Sequence, residues 1–141
     1  MQTQREPIRA VSGCEAVAAP RNVNGPRLEL INSDGGQSQI AIMRAPHAVF
    51  TSAQASFGFD ESDARLAFER LKKVLGQSGV SSQDIAMVRF YPLSQKIADQ
   101  IGRARAGVFD AAHPPAASML LFEGLASQDA GFAVDVVAAK D

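Results

Sequence analysis

Cysteine and histidine are scarce in this 141-residue chain, which contains one cysteine and two histidines. The single Cys14 cannot form an internal disulfide. His47 and His113, without a cluster of cysteines, give none of the spacings that bind zinc. We therefore expect neither a metal nor a cofactor.

Long apolar runs and blocks of like charge are also missing. No run approaches the roughly 18 apolar residues of a membrane span, and the N-terminus lacks the apolar core of a signal peptide. The 14 Lys and Arg nearly balance the 15 Asp and Glu, so the chain has no electrostatic footprint for nucleic acid or an acidic membrane. We expect a cytoplasmic protein whose partner is a small molecule or another protein.

The length and the 46% hydrophobic content fit one compact domain. Residues 1–27 differ from the rest, because Pro7, Pro20 and Pro26 interrupt them and no helical or strand periodicity persists. We interpret 1–27 as a partly disordered N-terminal extension and 28–141 as a single domain.

Hydrophobic periodicity predicts five strands and two helices, with a further short strand in front. Ala64, Phe68 and Leu71, for example, recur at the spacing of one helical face. The predicted strands are 28–31, 37–43, 48–53, 85–91, 116–122 and 132–139, and the predicted helices are 60–77 and 94–108.

This order predicts an α+β fold in which two helices cover one face of a mixed sheet. On the last strand Val134 and Val136 point to one side, whereas Ala133 and Val137 point to the other. Because neither face is convincingly polar, the second face needs a cover. A closed homo-oligomer would supply it, and a fully wrapped monomer is the rival.

Several segments resemble the RidA family, also called YjgF or L-PSP. They are, in order, 50–54, 71–75, 81–88, 113–116 and the terminal strand, so that the resemblance covers about residues 37–139. It implies a RidA-like, chorismate-mutase-like domain that forms a homotrimer through the open sheet face. Three ligand clefts would then lie at the subunit interfaces.

The resemblance also implies an enzymatic activity, but this sequence lacks residues on which that activity depends. Active members hydrolyse reactive enamines and imines to ammonia and a 2-keto acid, and an arginine after a Pro-Ala pair grips the substrate carboxylate. That arginine position is Ala117 here. The family's glutamate on the last strand falls on Ala133, and its tyrosine on the first strand falls on Gln39.

We assign no catalytic residue and expect eight residues to line the cleft. Ala117 and Ala133 should lie on adjacent strands, and Tyr91 has core packing as its alternative role. Ser52 lacks a neighbouring base in the sequence, which makes nucleophilic work improbable. The expected lining is Gln39, Ser52, Ala53, Tyr91, Ala117, Met119, Ala133 and Asp135.

Three functions remain open. The first is a RidA-like small-molecule-binding trimer that lacks the standard activity or performs an altered imine or enamine hydrolysis. The second is a noncatalytic module that serves another enzyme, and the third is an endoribonuclease, which the charge balance disfavours. Arg44, Arg89 or an arginine of the extension could also replace the missing guanidinium, although no sequence feature places one near Ala117.

Overall fold

The computed structural model describes residues 16, 18, 21, 22, 24–33, 37–110 and 112–141. Cys14 and most of the expected extension lie outside these residues, and so does the centre of the turn at 34–36. Within the described part, no helix is long and apolar enough to cross a membrane.

The described residues contain seven strands and two helices, and a short 3-10 turn at Ser82–Asp84 precedes the fifth strand. The strands are β1 (Leu28–Ser33), β2 (Gln37–Met43), β3 (His47–Phe50), β4 (Gln54–Phe57), β5 (Ile85–Pro92), β6 (Ala116–Met119) and β7 (Ala130–Lys140). The helices are α1 (Glu61–Gln77) and α2 (Gln95–Ala104).

All seven strands join one mixed sheet in the order β1-β2-β6-β5-β7-β3, and β4 also pairs with β7. β6 runs parallel to both β2 and β5, whereas the other pairings are antiparallel. A parallel pair needs a crossover, and α2 supplies the one between β5 and β6. The predicted α+β class with two helices is confirmed.

Local capping explains where the helices begin. At the start of α1 the Asp60 amide donates to the Asp63 carboxylate at 3.0 Å, and at the start of α2 the Ile97 amide donates to the Ser94 hydroxyl at 3.3 Å. Both contacts satisfy amides that have no partner within the helix.

The hydrophobic core lies between the helices and one face of the sheet. The predicted stripe of α1 is buried, since Phe68 and Leu71 are each 1% exposed. Phe68 makes edge contacts with Phe90 of β5 and with Phe109, at centroid distances of 6.3 and 6.0 Å. Such aromatic contacts contribute roughly 0.5–1.5 kcal/mol each beyond the burial of area.

Two predicted elements are shorter in the structure. α2 ends at Ala104 rather than Val108, because the chain turns there and Gly107 adopts a φ of 75°, a conformation that favours glycine. β6 ends at Met119, although the Leu120 and Phe122 amides still donate to carbonyls at the end of β5.

The predicted strand 48–53 ends early, at Phe50, and a further short strand that was not predicted, β4, begins at Gln54. β3 pairs with the end of β7 and β4 with its beginning. Between them the Thr51 amide donates to the Val136 carbonyl, and the Val136 amide donates to the Thr51 hydroxyl, each at 3.1 Å. The side chain of Thr51 therefore takes over one ladder bond at the break.

The sheet face away from the helices combines apolar residues with a charged pair. Ile31, Ile40 and Phe50 are 42%, 53% and 71% exposed, and strand alternation and pairing place them on this face. Arg89 and Asp135 form an ion pair on the same face. This face is thus more polar than the sequences of β6 and β7 alone indicate, because Arg89 of β5 lies at its centre.

Candidate functional site

Three of the expected cleft residues lie on the helix side of the sheet. Ala117 pairs with the core residue Val88 and packs against the core, and Met119 follows two positions later on the same side. Ser38 of β2 pairs with Ala116, so the next residue, Gln39, lies beside Ala117 on that side.

Three others lie on the opposite face, around a carboxylate. Asp135 is 7% exposed. Its carboxylate accepts hydrogen bonds from Arg89 Nε at 2.8 Å and from the Tyr91 hydroxyl at 2.9 Å. Ala133 pairs with Tyr91 and shares this face. The Tyr91 ring also packs edge-on against Phe122 at 5.0 Å, so Tyr91 has both a polar and a packing role.

The expectation that Ala117 and Ala133 lie on adjacent strands is wrong. β5 separates β6 from β7, because the chain crosses over through α2 and β6 then pairs in parallel with the outer side of β5. The two alanines also face opposite sides of the sheet. Within one chain they do not line the same cavity.

Ser52 and Ala53 lie in the break between β3 and β4, and both are exposed. The Gln54 side-chain amide donates to the Ser52 carbonyl at 3.2 Å and to its hydroxyl at 3.3 Å. An amide donor does not act as a general base, so these contacts do not activate the hydroxyl as a nucleophile.

Two adjoining cavities, of about 400 and 230 Å³, open between α2 and β6. Phe90, Gly102, Arg105 and Ala117 line both of them. Asp99 and Ser118 contribute to the larger cavity, whose volume falls in the range of small-molecule sites.

Arg105, which the sequence analysis did not single out, therefore lines the same cavities as Ala117. Of the arginines considered from the sequence, the two that were named, Arg44 and Arg89, are engaged elsewhere. Arg44 pairs with Glu29 at 2.8 Å, and Arg89 pairs with Asp135 on the other face. A periodic signal for Arg105 existed, since it follows the buried Ile101 by four residues and thus extends the sheet-facing stripe of α2.

An acidic group borders the smaller cavity. The Asp110 carboxylate lies 3.1 Å from His113 Nδ1 and accepts the Ala112 amide at 2.8 Å. These two contacts lower the pKa of Asp110 below its usual range. Among the described residues, no group of three or more His, Cys, Asp or Glu is arranged to hold a metal ion.

The sequence matches no protein-family model, and no curated protein shows significant similarity to it. Several solved structures, in contrast, are similar to the fold of this chain. A Rid-family protein of unknown function from Yersinia pestis superposes with a TM-score of 0.67 at 19% identity, over 82% of this chain and 100% of that one. A member of the YjgF/YER057c/UK114 family from Mycobacterium tuberculosis gives 0.60 at 21%, over 80% and 99%.

A third similar structure, from Thermotoga maritima, is provisionally assigned as an endoribonuclease. Its TM-score is 0.62 at 20% identity, and the match covers 84% of this chain and 99% of that chain. Each match spans nearly the whole length of the other protein. The chain therefore has the fold of the Rid/YjgF proteins.

Proposed function

We propose that the chain is a Rid/YjgF-family homotrimer that binds a small molecule in clefts at its subunit interfaces and lacks the standard enamine and imine deaminase activity. The observation that carries this proposal is the environment of Ala117. A methyl group stands there in the wall of an open cavity, at the position where the family resemblance expects a guanidinium.

The loss of that guanidinium has a calculable consequence. A hydrogen bond to a charged group contributes about 1.5–3 kcal/mol, which is roughly tenfold to a hundredfold in affinity for a carboxylate. Ala133 likewise presents a methyl group where the resemblance expects a carboxylate that handles water. Both changes oppose the standard hydrolysis.

The two faces of the sheet support an interface site. Ala117 and Ala133 lie on opposite faces and on strands that β5 separates, so one chain does not bring them to a common ligand. In a closed trimer, the part of one copy that contains β2 and β6 would meet the part of the next copy that contains β3 and β4. Such a contact would also cover the exposed Ile40 and Phe50.

Ammonia release from freshly generated 2-aminoacrylate tests the proposal. We expect the wild-type rate to stay near the uncatalysed rate, and Ala117→Arg to raise it only in part, because Ala133 still lacks the expected carboxylate. A wild-type rate equal to that of an active Rid protein would contradict the proposal. Ala117→Gln, a large polar replacement without charge, is the matched control.

Two alternatives have their own outcomes. An altered hydrolase would release ammonia from other imines or enamines at a rate that responds to cleft substitutions. An endoribonuclease, as in the provisional assignment of the Thermotoga protein, would degrade RNA in purified form and lose that activity in Ser52→Ala. Among the described residues that line the two cavities, Arg105 is the only cation, which does not favour a phosphate-rich ligand.

A further inference from the structure

We infer that the cavities between α2 and β6 form a binding site for a small apolar carboxylate and that Arg105 is the residue that recognises its charge. This inference rests on one part of the proposed function, that the chain binds a small molecule, and it names the ligand class, the arginine and a site within one chain. It starts from the charge of Arg105, which is half-buried beside an apolar sheet surface.

The charge of Arg105 has no side-chain partner within the described part of the chain. The neighbouring Arg103, in contrast, pairs with Glu61 at 3.2 Å. The backbone of Arg105 is fully used, since its amide donates to the Ile101 carbonyl at 2.9 Å and its carbonyl accepts the Val108 amide at 3.0 Å. The guanidinium has no such partner among the residues that the structure describes and remains available, and a partly buried cation gains from an anionic partner.

The two acids in the cavity walls are already engaged. Asp99 accepts the Gln95 side-chain amide at 3.0 Å, and Asp110 is bound by His113 and the Ala112 amide. Neither of them pairs with Arg105. Their negative charges repel an anionic ligand at the cavity rim. We therefore expect a simple anion to bind weakly.

Apolar groups form most of the remaining wall and specify the tail of the ligand. Val88 and Phe90 of β5 and Phe109 lie on the sheet side, with Pro115 and Ala117 beside them. Against these groups a charged or extended ligand would gain little, whereas a short hydrocarbon chain gains about 0.8 kcal/mol per buried methylene. A carboxylate with a small apolar tail satisfies both Arg105 and this surface.

Small side chains keep the site open. A β-carbon built at Gly102 meets no atom within 4 Å, and Ala117 fills little of the facing wall. An arginine at position 117 would project into the same space. The substitution that removes the family's guanidinium thus makes room for a ligand that Arg105 reaches from the other side.

The test uses butanoate and its uncharged isostere butanamide as probes of the full-length protein, followed by amide chemical shifts. We expect butanoate to shift the amides of Gly102, Ala117 and Ser118 in a saturable way and to bind at least tenfold more tightly than butanamide. Arg105→Gln should abolish that preference. Arg103→Gln, two residues earlier and outside both cavities, should retain it.

A second variant separates binding from folding. Gly102→Leu replaces glycine in α2 with a better helix former and fills the cavity, so it should block binding without lowering the melting temperature. Equal binding of the two probes by the wild type, or unchanged discrimination in Arg105→Gln, would overturn the inference.

The site of the shifts separates this inference from the proposed function. Shifts confined to Ser52, Ala53 and Tyr91 would overturn the Arg105 site and leave an interface cleft in place. Shifts at Gly102 and Ala117 in protein that light scattering shows to be monomeric would support Arg105 and overturn the interface proposal.

Discussion

Asp135 is a charged residue that is only 7% exposed, and its surroundings explain why it is tolerated. Arg89 and the Tyr91 hydroxyl both donate to its carboxylate. A buried charge without such partners would cost several kcal/mol. The three side chains form one polar cluster at the centre of the open sheet face.

Removing the tyrosine hydroxyl tests the strength of this cluster. We expect Tyr91→Phe to lower the free energy of unfolding by about 1.5–3 kcal/mol, because one hydrogen bond to a charged group is lost while the ring packing remains. Urea unfolding measures the change. In an Asp135→Asn background the same substitution should cost clearly less, and an equal cost in both backgrounds would show that the two residues are not coupled.

Asp84 gives a residue-scale prediction about pH. Burial raises the pKa of its carboxyl, but hydrogen bonds from the Ser81 amide, Arg27 and the Ser81 hydroxyl outweigh that effect and leave the pKa below its ordinary value of 3.8. The carboxyl is therefore a stronger acid in the folded chain. Its stabilising contribution is complete above about pH 4 and is lost as the pH falls through the lower folded value.

Asp84→Asn should accordingly lower the melting temperature at pH 7 by a few degrees, on the order of 4 °C per kcal/mol for a chain of this size. The difference from wild type should shrink below pH 3.8. Thermal unfolding followed by circular dichroism between pH 2.5 and 7 measures both effects. A difference that stays constant over this range would exclude the carboxylate charge as the cause, and Asp129→Asn, at an exposed loop position, is the control.

How far single residues could be predicted depended on the type of signal. The position of Ala117 followed from a local motif, and the structure places it in a cavity wall. The role of Arg105 did not follow from the sequence, because the predicted helix ran on to Val108 and its periodicity alone did not set Arg105 apart. The partners of Asp135 were also missed, since a strand pattern does not say which strand lies next to it.

At the scale of elements, β4 and β7 approach each other unusually closely through two glycines. Gly58 has a φ of 115°, and a β-carbon at Gly131 would lie 2.4 Å from the Gly58 carbonyl oxygen. Since backbone cannot move aside as a flexible side chain can, the start of β7 requires a glycine. The end of β4 therefore lies directly against the first residues of β7.

We therefore expect Gly131→Ala to destabilise the protein by roughly 1–3 kcal/mol, in the range of overpacked cores. Gly76→Ala is the matched control, because a β-carbon there meets no atom within 4 Å and alanine stabilises a helix relative to glycine by up to about 1 kcal/mol. Chemical denaturation of both variants should give shifts of opposite sign. A neutral Gly131→Ala would mean that β4 can move away from β7.

Most helices and strands could be predicted from the sequence, whereas the pairing of the strands could not. The apolar stripes of α1 and α2 depend on residues three and four apart, which a sequence shows directly. The division into β3 and β4 depends on Thr51 bonding to Val136, 85 residues away. The order of the strands likewise depends on crossovers, and no local pattern specifies them.

At the scale of the whole molecule, the two faces of the sheet differ in cover. The helices cover one face where β5 and β7 lie, and the core lies there. The other face exposes Ile31, Ile40 and Phe50 around the polar cluster of Asp135. Exposed apolar residues grouped around a central polar cluster are suited to contact between copies of one chain, in which each copy covers the next.

The oligomeric state is the prediction that belongs to this scale. Light scattering should give a mass close to three times the 14.9 kDa of one chain. Phe50→Ser should shift the protein toward monomer, with a dissociation constant raised roughly tenfold or more, because burying a phenylalanine contributes about 1.5–3 kcal/mol.

Leu66→Ser is the control for this prediction, since Leu66 is 52% exposed but lies on α1, on the outer side of the helix layer. It should leave the mass unchanged. Both variants should retain the far-ultraviolet circular dichroism of the wild type, so that a change in mass reports on the interface and not on folding. A wild-type mass of one chain, or a loss of assembly in Leu66→Ser and not in Phe50→Ser, would contradict assembly through the open sheet face.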